Sequence, residues 1–189
     1  MKASERLLLK ATYELAEAGR FTCAPNPTVG CIIVKDGRVI GRGYHQKAGE
    51  GHAEVEAIRD ASGKISGATV YVSLEPCAFE GRTPACAKTL IAANVERVVI
   101  GMLDPHPKVR GAGVRLLQQA GIQVDVADDP EARPVIKGYC SRIERERPWV
   151  RIKTASSLDG ATALANGESH WFTGPEARAD DQYLSLIHI

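Results

Sequence analysis

Val29-Gly-Cys-Ile-Ile-Val-Lys-Asp-Gly-Arg-Val-Ile-Gly-Arg-Gly-Tyr44 reads as two β-strands and the turn that joins them. Val29 to Val34 is a short continuous apolar run, as expected of a strand buried on both faces. Asp36-Gly37 is a type I′ signal, because both central residues of that turn need positive φ. Arg38 to Tyr44 then returns as the partner strand. Downstream the pattern alternates. A helix is predicted from His52 to about Ala61, and a strand from Thr69 to Leu74. A helix follows with Thr83 as N-cap and Pro84 at the first helical position, where proline is favoured, ending near Asn94. Glu96 to Met102 is a strand, and Asp104 to Pro107 a loop. Gly113 to Ala120 is helical, stopped by Gly121. Ile122 to Val126 is a strand, and Pro130 to Arg145 one helix. Upstream, Ser4 can cap a helix to about Ala18, with Gly19 as its stop and Leu8, Ala11, Leu15 and Ala18 as its apolar face. Pro25 and Pro27 make Arg20 to Thr28 a loop. Strands alternating with helices imply an α/β fold whose sheet is covered on both faces and is parallel after its opening hairpin.

At 189 residues the chain fits one ordinary domain and a remainder. Its formal net charge of +1 gives no global field to draw in nucleic acid or a membrane surface. Glu5 and Lys10 flank only three leucines, so the opening residues read neither as a signal peptide nor as a span. Five cysteines, at 23, 31, 77, 86 and 140, are an odd number and do not read as a disulfide framework. A cytoplasmic setting with reduced thiols is the expectation.

Those thiols matter at His52-Ala53-Glu54, Pro76-Cys77 and Cys86. One imidazole and two thiols can hold Zn²⁺, and three protein ligands leave the fourth tetrahedral position free for water. The predicted helix starts place His52 and Cys86 in first turns, where unpaired N–H groups and partial positive charge favour the thiolate. Glu54, two residues past His52, stands beside the metal without ligating it. Zinc lowers the pKa of bound water to about 7. Glu54 would take the water proton, pass it to a ring nitrogen and then help protonate the departing amine. His-x-Glu followed by Pro-Cys and a further Cys is the signature of zinc-dependent base deaminases. Its common form is Pro-Cys-x-x-Cys, whereas here eight residues, Ala78 to Ala85, intervene. The plainer reading is inert packing cysteines and a chance His-x-Glu. The full set in this order and context argues against it. Cys31 sits mid-strand and reads as core, and Cys23 and Cys140 have no ligand-like partner nearby.

The surrounding residues narrow the class. Asn26-Pro-Thr-Val-Gly30, Gly43-Tyr-His-Gln-Lys-Ala-Gly49, His52-Ala-Glu-Val55, Leu74-Glu-Pro-Cys77, Gly81-Arg-Thr-Pro84 with Cys86, and Met102-Leu-Asp-Pro105 resemble the bifunctional riboflavin-biosynthesis deaminase/reductases. The resemblance runs from residue 1 to about 184, and the long cysteine loop with Gly-Arg-Thr-Pro is its most specific part. It implies a cytidine-deaminase-like three-layer α/β/α sandwich with a mixed central sheet over residues 1–147. Over 148–189 it implies the incomplete start of a dihydrofolate-reductase-like domain. There Trp149 to Ala155 would be a first strand and Ser157-Leu-Asp-Gly160 a turn. Gly167-Glu-Ser-His-Trp-Phe-Thr173 continues the reductase-like pattern.

The implied substrate is 2,5-diamino-6-ribosylamino-4(3H)-pyrimidinone 5′-phosphate, losing the amino group at ring carbon 2. Asn26 and His45 would face its pyrimidine or ribose. Arg82 and Asp104 match substrate-contacting loops, Arg82 as a phosphate partner. The reductase part implies NADP(H), with Ala155 and Trp171 at nucleotide-contacting positions and Ser169 facing the substrate. The blander roles are surface charge for Arg82, a turn or helix-cap role for Asp104 and an ordinary strand-end histidine for His45. Ala78-Phe-Glu80, His106, Glu56 and Ala85 depart from the family's common residues. They leave zinc and acid/base chemistry untouched and bear on substrate contacts. Leu184 to Ile189 does not continue the family pattern and reads as a fragment end or a non-native tail, which makes His188 a poor ligand.

Two other readings compete. One is a zinc deaminase of another cytosine- or adenine-type nucleoside, nucleotide or RNA base. For RNA, the interleaving of Arg142 to Arg147 with Glu144 and Glu146 offers little basic surface. The other is a zinc-stabilised module, which would need a fourth protein ligand. The expected partner is a small molecule, with no nucleic acid and no membrane. Homo-oligomers are compatible with the sequence.

Overall fold

Strand β1 (Gly30–Lys35) lies inside a five-stranded sheet and carries the architecture. The structure, a computed structural model, describes residues 2–81, 84–169 and 173–184. β2 (Arg38–Tyr44) returns antiparallel to β1 through Asp36 and Gly37, whose φ values of 51° and 72° are those the turn requires. A register shift at Ile33/Val34 puts one extra residue, Ile40, on β2. The other edge of β1 pairs antiparallel with β3 (Thr69–Val72). β4 (Arg97–Ile100) and β5 (Gln123–Val126) then add in parallel, giving the order β2-β1-β3-β4-β5.

Helices cover both faces. On one side, α1 (Ala3–Glu17) lays Leu8, Ala11 and Leu15 over Ile32, Tyr71 and Val99. Its most buried residues are Leu9, Thr12, Tyr13 and Ala16, while Ala18 is exposed. The buried face is thus wider than the predicted stripe, because Leu9 and Tyr13 also pack on Ala132, Ile136 and Cys140 from a second helical layer. Ser4 is not the cap. The helix starts two residues earlier with Lys2 at the N-cap, whose backbone N–H donates to the Glu5 carboxylate at 2.7 Å.

On the other side lie α2 (Ala53–Asp60), α3 (Cys86–Ala92) and α4 (Ala112–Gln119), over a core of Ile33, Val70, Val72, Val98 and Ile100. α2 sits close against β2 because Gly43 has no side chain. A Cβ there would lie 2.3 Å from the Ala57 nitrogen and 2.5 Å from the Ala53 carbonyl oxygen. α3 begins at Cys86 with Ala85 at its N-cap, so Pro84 precedes the helix and Thr83 lies outside the described residues. The single helix predicted for residues 130–145 is two, α5 (Ala132–Val135) and α6 (Lys137–Arg145). The break falls at Ile136, whose backbone (φ −114°, ψ 26°) leaves the helical region.

The chain divides into two compact units, Met1–Trp149 and Val150–Ile189. Among the described residues the second holds the turn closed by Gly160 N–H to the Ser157 carbonyl at 3.0 Å and the helix α7 (Pro175–Leu184). The strand predicted over 149–155 is not formed. No neighbouring strand pairs with this segment among the described residues, and Ile152 is left 82% exposed.

Candidate metal and substrate site

The topology brings the singled-out side chains of the first unit to one end of the sheet. β3 and β4 are parallel and β1 opposes them, so β1 starts where β3 and β4 finish. Asn26 precedes β1 and His45 follows β2. Cys77 follows β3 and Asp104 follows β4, while His52 and Cys86 open α2 and α3. Crevices beyond the carboxyl ends of parallel strands are where α/β folds place ligands.

His52, Cys77 and Cys86 offer three ligand atoms within 4.8 Å of one another. His52 Nδ1 is 3.1 Å from Cys86 Sγ and 3.7 Å from Cys77 Sγ. A nitrogen and two sulfurs at ordinary zinc bond lengths, tetrahedrally arranged, would stand roughly 3.5–3.8 Å apart. The donor set and its spacing therefore fit zinc. The Cys86 backbone N–H donates to Cys77 Sγ at 3.3 Å. The hydrogen bond from the Cys86 thiol, aided by His52, lowers the Cys77 thiol to about 4. The same bond, with burial, pushes Cys86 up, and the contact with Cys77 raises His52. One thiolate is thus held beside a retained proton. A dication supplies the charge those protons otherwise supply, so metal binding here releases protons.

Glu54 is 3% exposed on the first turn of α2. Burial, then the negative charge of Cys77, raises its carboxyl above the usual carboxylate range. A carboxyl raised in this way is a better proton acceptor than an ordinary carboxylate and can return the proton it takes.

His45 is buried, and its Nδ1 lies 2.9 Å from the Gly51 carbonyl oxygen. Its Nε2 lies 3.0 Å from Asn26 Nδ2. Its ring meets the His52 ring edge-on, with centroids 5.2 Å apart. Burial lowers its pKa. Asp104 is also buried and accepts from the His106 backbone N–H at 2.8 Å and from Tyr139 Oη–H at 3.0 Å.

These groups open onto a cavity of about 550 Å³ that also reaches Phe79, Tyr139 and Arg142. Phe79, one of the departures from the family's common residues, lines it and is 52% exposed. Arg82 and Trp171 lie outside the described residues. Ala155 and Ser169 are exposed in the second unit.

Sequence reading passed over Glu75, Tyr139 and Arg142. Glu75 is buried, and its carboxylate accepts backbone N–H groups of Asp104 at 3.2 Å, Gly111 at 2.9 Å and Val114 at 3.2 Å. It ties the loop after β4 and the start of α4 to the segment that leads into Cys77. The signal was a glutamate just beyond an apolar strand, where burial forces a partner. Tyr139 and Arg142 are three residues apart on α6, the spacing of one helix face.

Residues 1–102 match the family model of the cytidine and deoxycytidylate deaminase zinc-binding region, and residues 148–186 match that of the RibD C-terminal domain. The riboflavin biosynthesis protein RibD of Escherichia coli is 55% identical over 172 residues, covering 90% of this chain and 47% of that protein. The RibD structure from Acinetobacter baumannii superposes with a TM-score of 0.86 at 48% identity, over 95% of this chain and 51% of that one. The diaminohydroxyphosphoribosylaminopyrimidine deaminase/5-amino-6-(5-phosphoribosylamino)uracil reductase of Thermotoga maritima gives 0.88 at 37% identity, over 93% and 51%. The chain spans about half the length of the relatives it matches.

Proposed function

Because the chain belongs to the family of the cytidine and deoxycytidylate deaminase zinc-binding region, we propose that it is a zinc hydrolase of riboflavin biosynthesis. Its reaction is deamination of 2,5-diamino-6-ribosylamino-4(3H)-pyrimidinone 5′-phosphate to 5-amino-6-ribosylamino-2,4(1H,3H)-pyrimidinedione 5′-phosphate and ammonia. The observation that carries the reading is the gathering of His52, Cys77 and Cys86 at the end of a cavity that His52, Cys77 and the buried Glu54 line. RibD proteins of like sequence support the substrate.

His52, Cys77 and Cys86 would hold Zn²⁺, which when bound supplies a Lewis acid that makes water nucleophilic at neutral pH. Glu54 accepts the proton of the attacking water on its carboxylate. It delivers that proton to the ring nitrogen next to the carbon under attack. A second transfer through the same carboxyl protonates the leaving amine, so Glu54 ends as it began. Asn26 and Asp104 hold the pyrimidine and ribose, and His45 sets the Asn26 amide. Arg82 pairs with the phosphate. Leu74, Val29 and Phe79 give the cavity an apolar wall against which the ring would pack.

Residues 1–147 form the deaminase domain in this reading, and 148–189 belong to a reductase domain. Ala155 and Trp171 would contact NADP(H) there and Ser169 the deaminated substrate. A cytoplasmic setting accords with five free thiols, and no helix among the described residues is long and apolar enough to cross a membrane. The test is ammonia release by the zinc-loaded protein from the diaminopyrimidinone phosphate, beside cytidine, deoxycytidylate and tRNA. Turnover of the first alone is expected. Preferential turnover of any other would replace the substrate.

A further inference from the structure

The cavity meets its ligand with carboxylates on the floor. Glu54, Glu75 and Asp104 all line it. Among its described lining residues, Arg142 is the only lysine or arginine. No ion pair among the described residues engages this guanidinium, although Arg133, Arg97 and Arg59 each have a carboxylate partner. Arg142 is an exposed residue, anchored at two points. Its Nη2–H donates to the Pro25 carbonyl at 3.0 Å, and its guanidinium carbon lies 5.4 Å from the centre of the Tyr139 ring. Tyr139 is itself fixed by its hydroxyl bond to Asp104. The arginine thus bridges α6 to the Pro25–Pro27 loop, one residue from Asn26. One Nη is committed to Pro25, and no other hydrogen bond engages the guanidinium among the described residues. A guanidinium that is fixed, uncompensated and at a cavity wall is suited to bidentate contact with a phosphate.

We propose that Arg142 is an anion-binding residue of this site, selecting ligands that carry a phosphomonoester. The inference rests on the deaminase reading for the phosphate's source, and deepens it by naming a second cation besides Arg82. Arg142 would let the cavity distinguish a ribosyl phosphate from the same ribosyl group without phosphate.

The test titrates the zinc-loaded protein with ribose 5-phosphate and with ribose, in wild type and in Arg142→Gln, Arg142→Lys and Arg142→Ala. Glutamine keeps a donor for the Pro25 carbonyl but no charge. Lysine keeps the charge and loses the fork. Wild type should prefer ribose 5-phosphate to ribose by about tenfold or more, as loss of a hydrogen bond to a charged group implies. Arg142→Gln and Arg142→Ala should lose that preference while ribose binding is unmoved, and Arg142→Lys should keep part of it. Equal preference in wild type and Arg142→Gln would overturn the proposal. So would parallel loss of both sugars, which would make Arg142 a brace for the Pro25 loop alone. Ammonia release is read separately. Phosphate selection without turnover of the diaminopyrimidinone would sink the substrate reading and leave Arg142 in its role.

Discussion

Asn26 Nδ2 donates a hydrogen bond to Nε2 of His45 across 3.0 Å. The direction follows from the other ring nitrogen. Nδ1 faces the Gly51 carbonyl oxygen at 2.9 Å, and a carbonyl only accepts, so Nδ1 carries the proton. Burial lowers the His45 pKa and keeps the ring neutral. Nε2 is then an acceptor, and the Asn26 amide must present its NH₂ to it. Oδ1 is left as an acceptor for a ligand.

The coupling has a measurable consequence. Asn26→Ala and His45→Leu should each lower kcat/KM for deamination, and the double variant should be little worse than either. A coupling of about 0.5–3 kcal/mol is the range for residues in one hydrogen-bond network. Zinc content should stay at the wild-type level in all three. Additive losses would mean that His45 touches the substrate by itself.

Cys77→Ser and Cys86→Ser should lower both zinc content and Tm. Each removes a thiolate from a set whose members come from the loop after β3, the start of α2 and the start of α3. Metal binding ties those elements together, so its free energy is shared with folding. Metal analysis and thermal melts with and without chelator check this. Full zinc occupancy in either variant would place the metal elsewhere.

Gly43→Ala should destabilise the first unit. The added methyl would sit 2.3 Å from the α2 backbone at Ala57, and neither element is a flexible side chain end. Overpacking of this kind costs about 1–3 kcal/mol. Because α2 carries His52 and Glu54, zinc affinity should fall with Tm. An unchanged melt would show that α2 can move off β2 without cost.

Acid sensitivity should depend on Glu5. The Lys2 backbone N–H, then the Arg97 guanidinium, hold its carboxyl below the usual value. A lowered folded pKa contributes stability above the unfolded value, and that contribution is lost as pH falls through the folded one. Arg97 also bonds Asp125 at 2.6 Å, so the network joins α1, β4 and β5. Glu5→Gln should be less stable than wild type at neutral pH, and the gap should start to narrow below the unfolded value of about 4.3 and close only once pH has passed the lower folded value. A gap that persists at lower pH would show that the carboxylate's charge is not what holds the network.

How far these relationships could be read from the chain depends on whether the information is local. The Asp36-Gly37 turn needs two positive φ values, and few residue pairs supply them, so the hairpin and the sheet's direction were legible. The gathering of His52, Cys77 and Cys86 was legible because ligand chemistry limits the residue types. Helix ends were not, where a backbone N–H found a partner by tertiary packing. Lys2 and Glu5 displaced Ser4 as the start of α1, and Ala85, with no capping side chain, precedes α3. The interruption at Ile136 is a non-helical backbone conformation that the helical pattern around it did not mark. Glu75, Tyr139 and Arg142 work through partners 29 to 117 residues away in sequence, and no local pattern marks such pairs.

The central claim is that His52, Cys77 and Cys86 hold the metal while Glu54 moves the proton. Glu54→Gln tests both halves on one sample, by measuring zinc per chain and ammonia release from the diaminopyrimidinone phosphate together. Glutamine is nearly isosteric and cannot accept the water proton. The account predicts wild-type zinc content and Tm with release slowed by about 10²–10⁴-fold. Near-normal release, or loss of zinc along with activity, would contradict it.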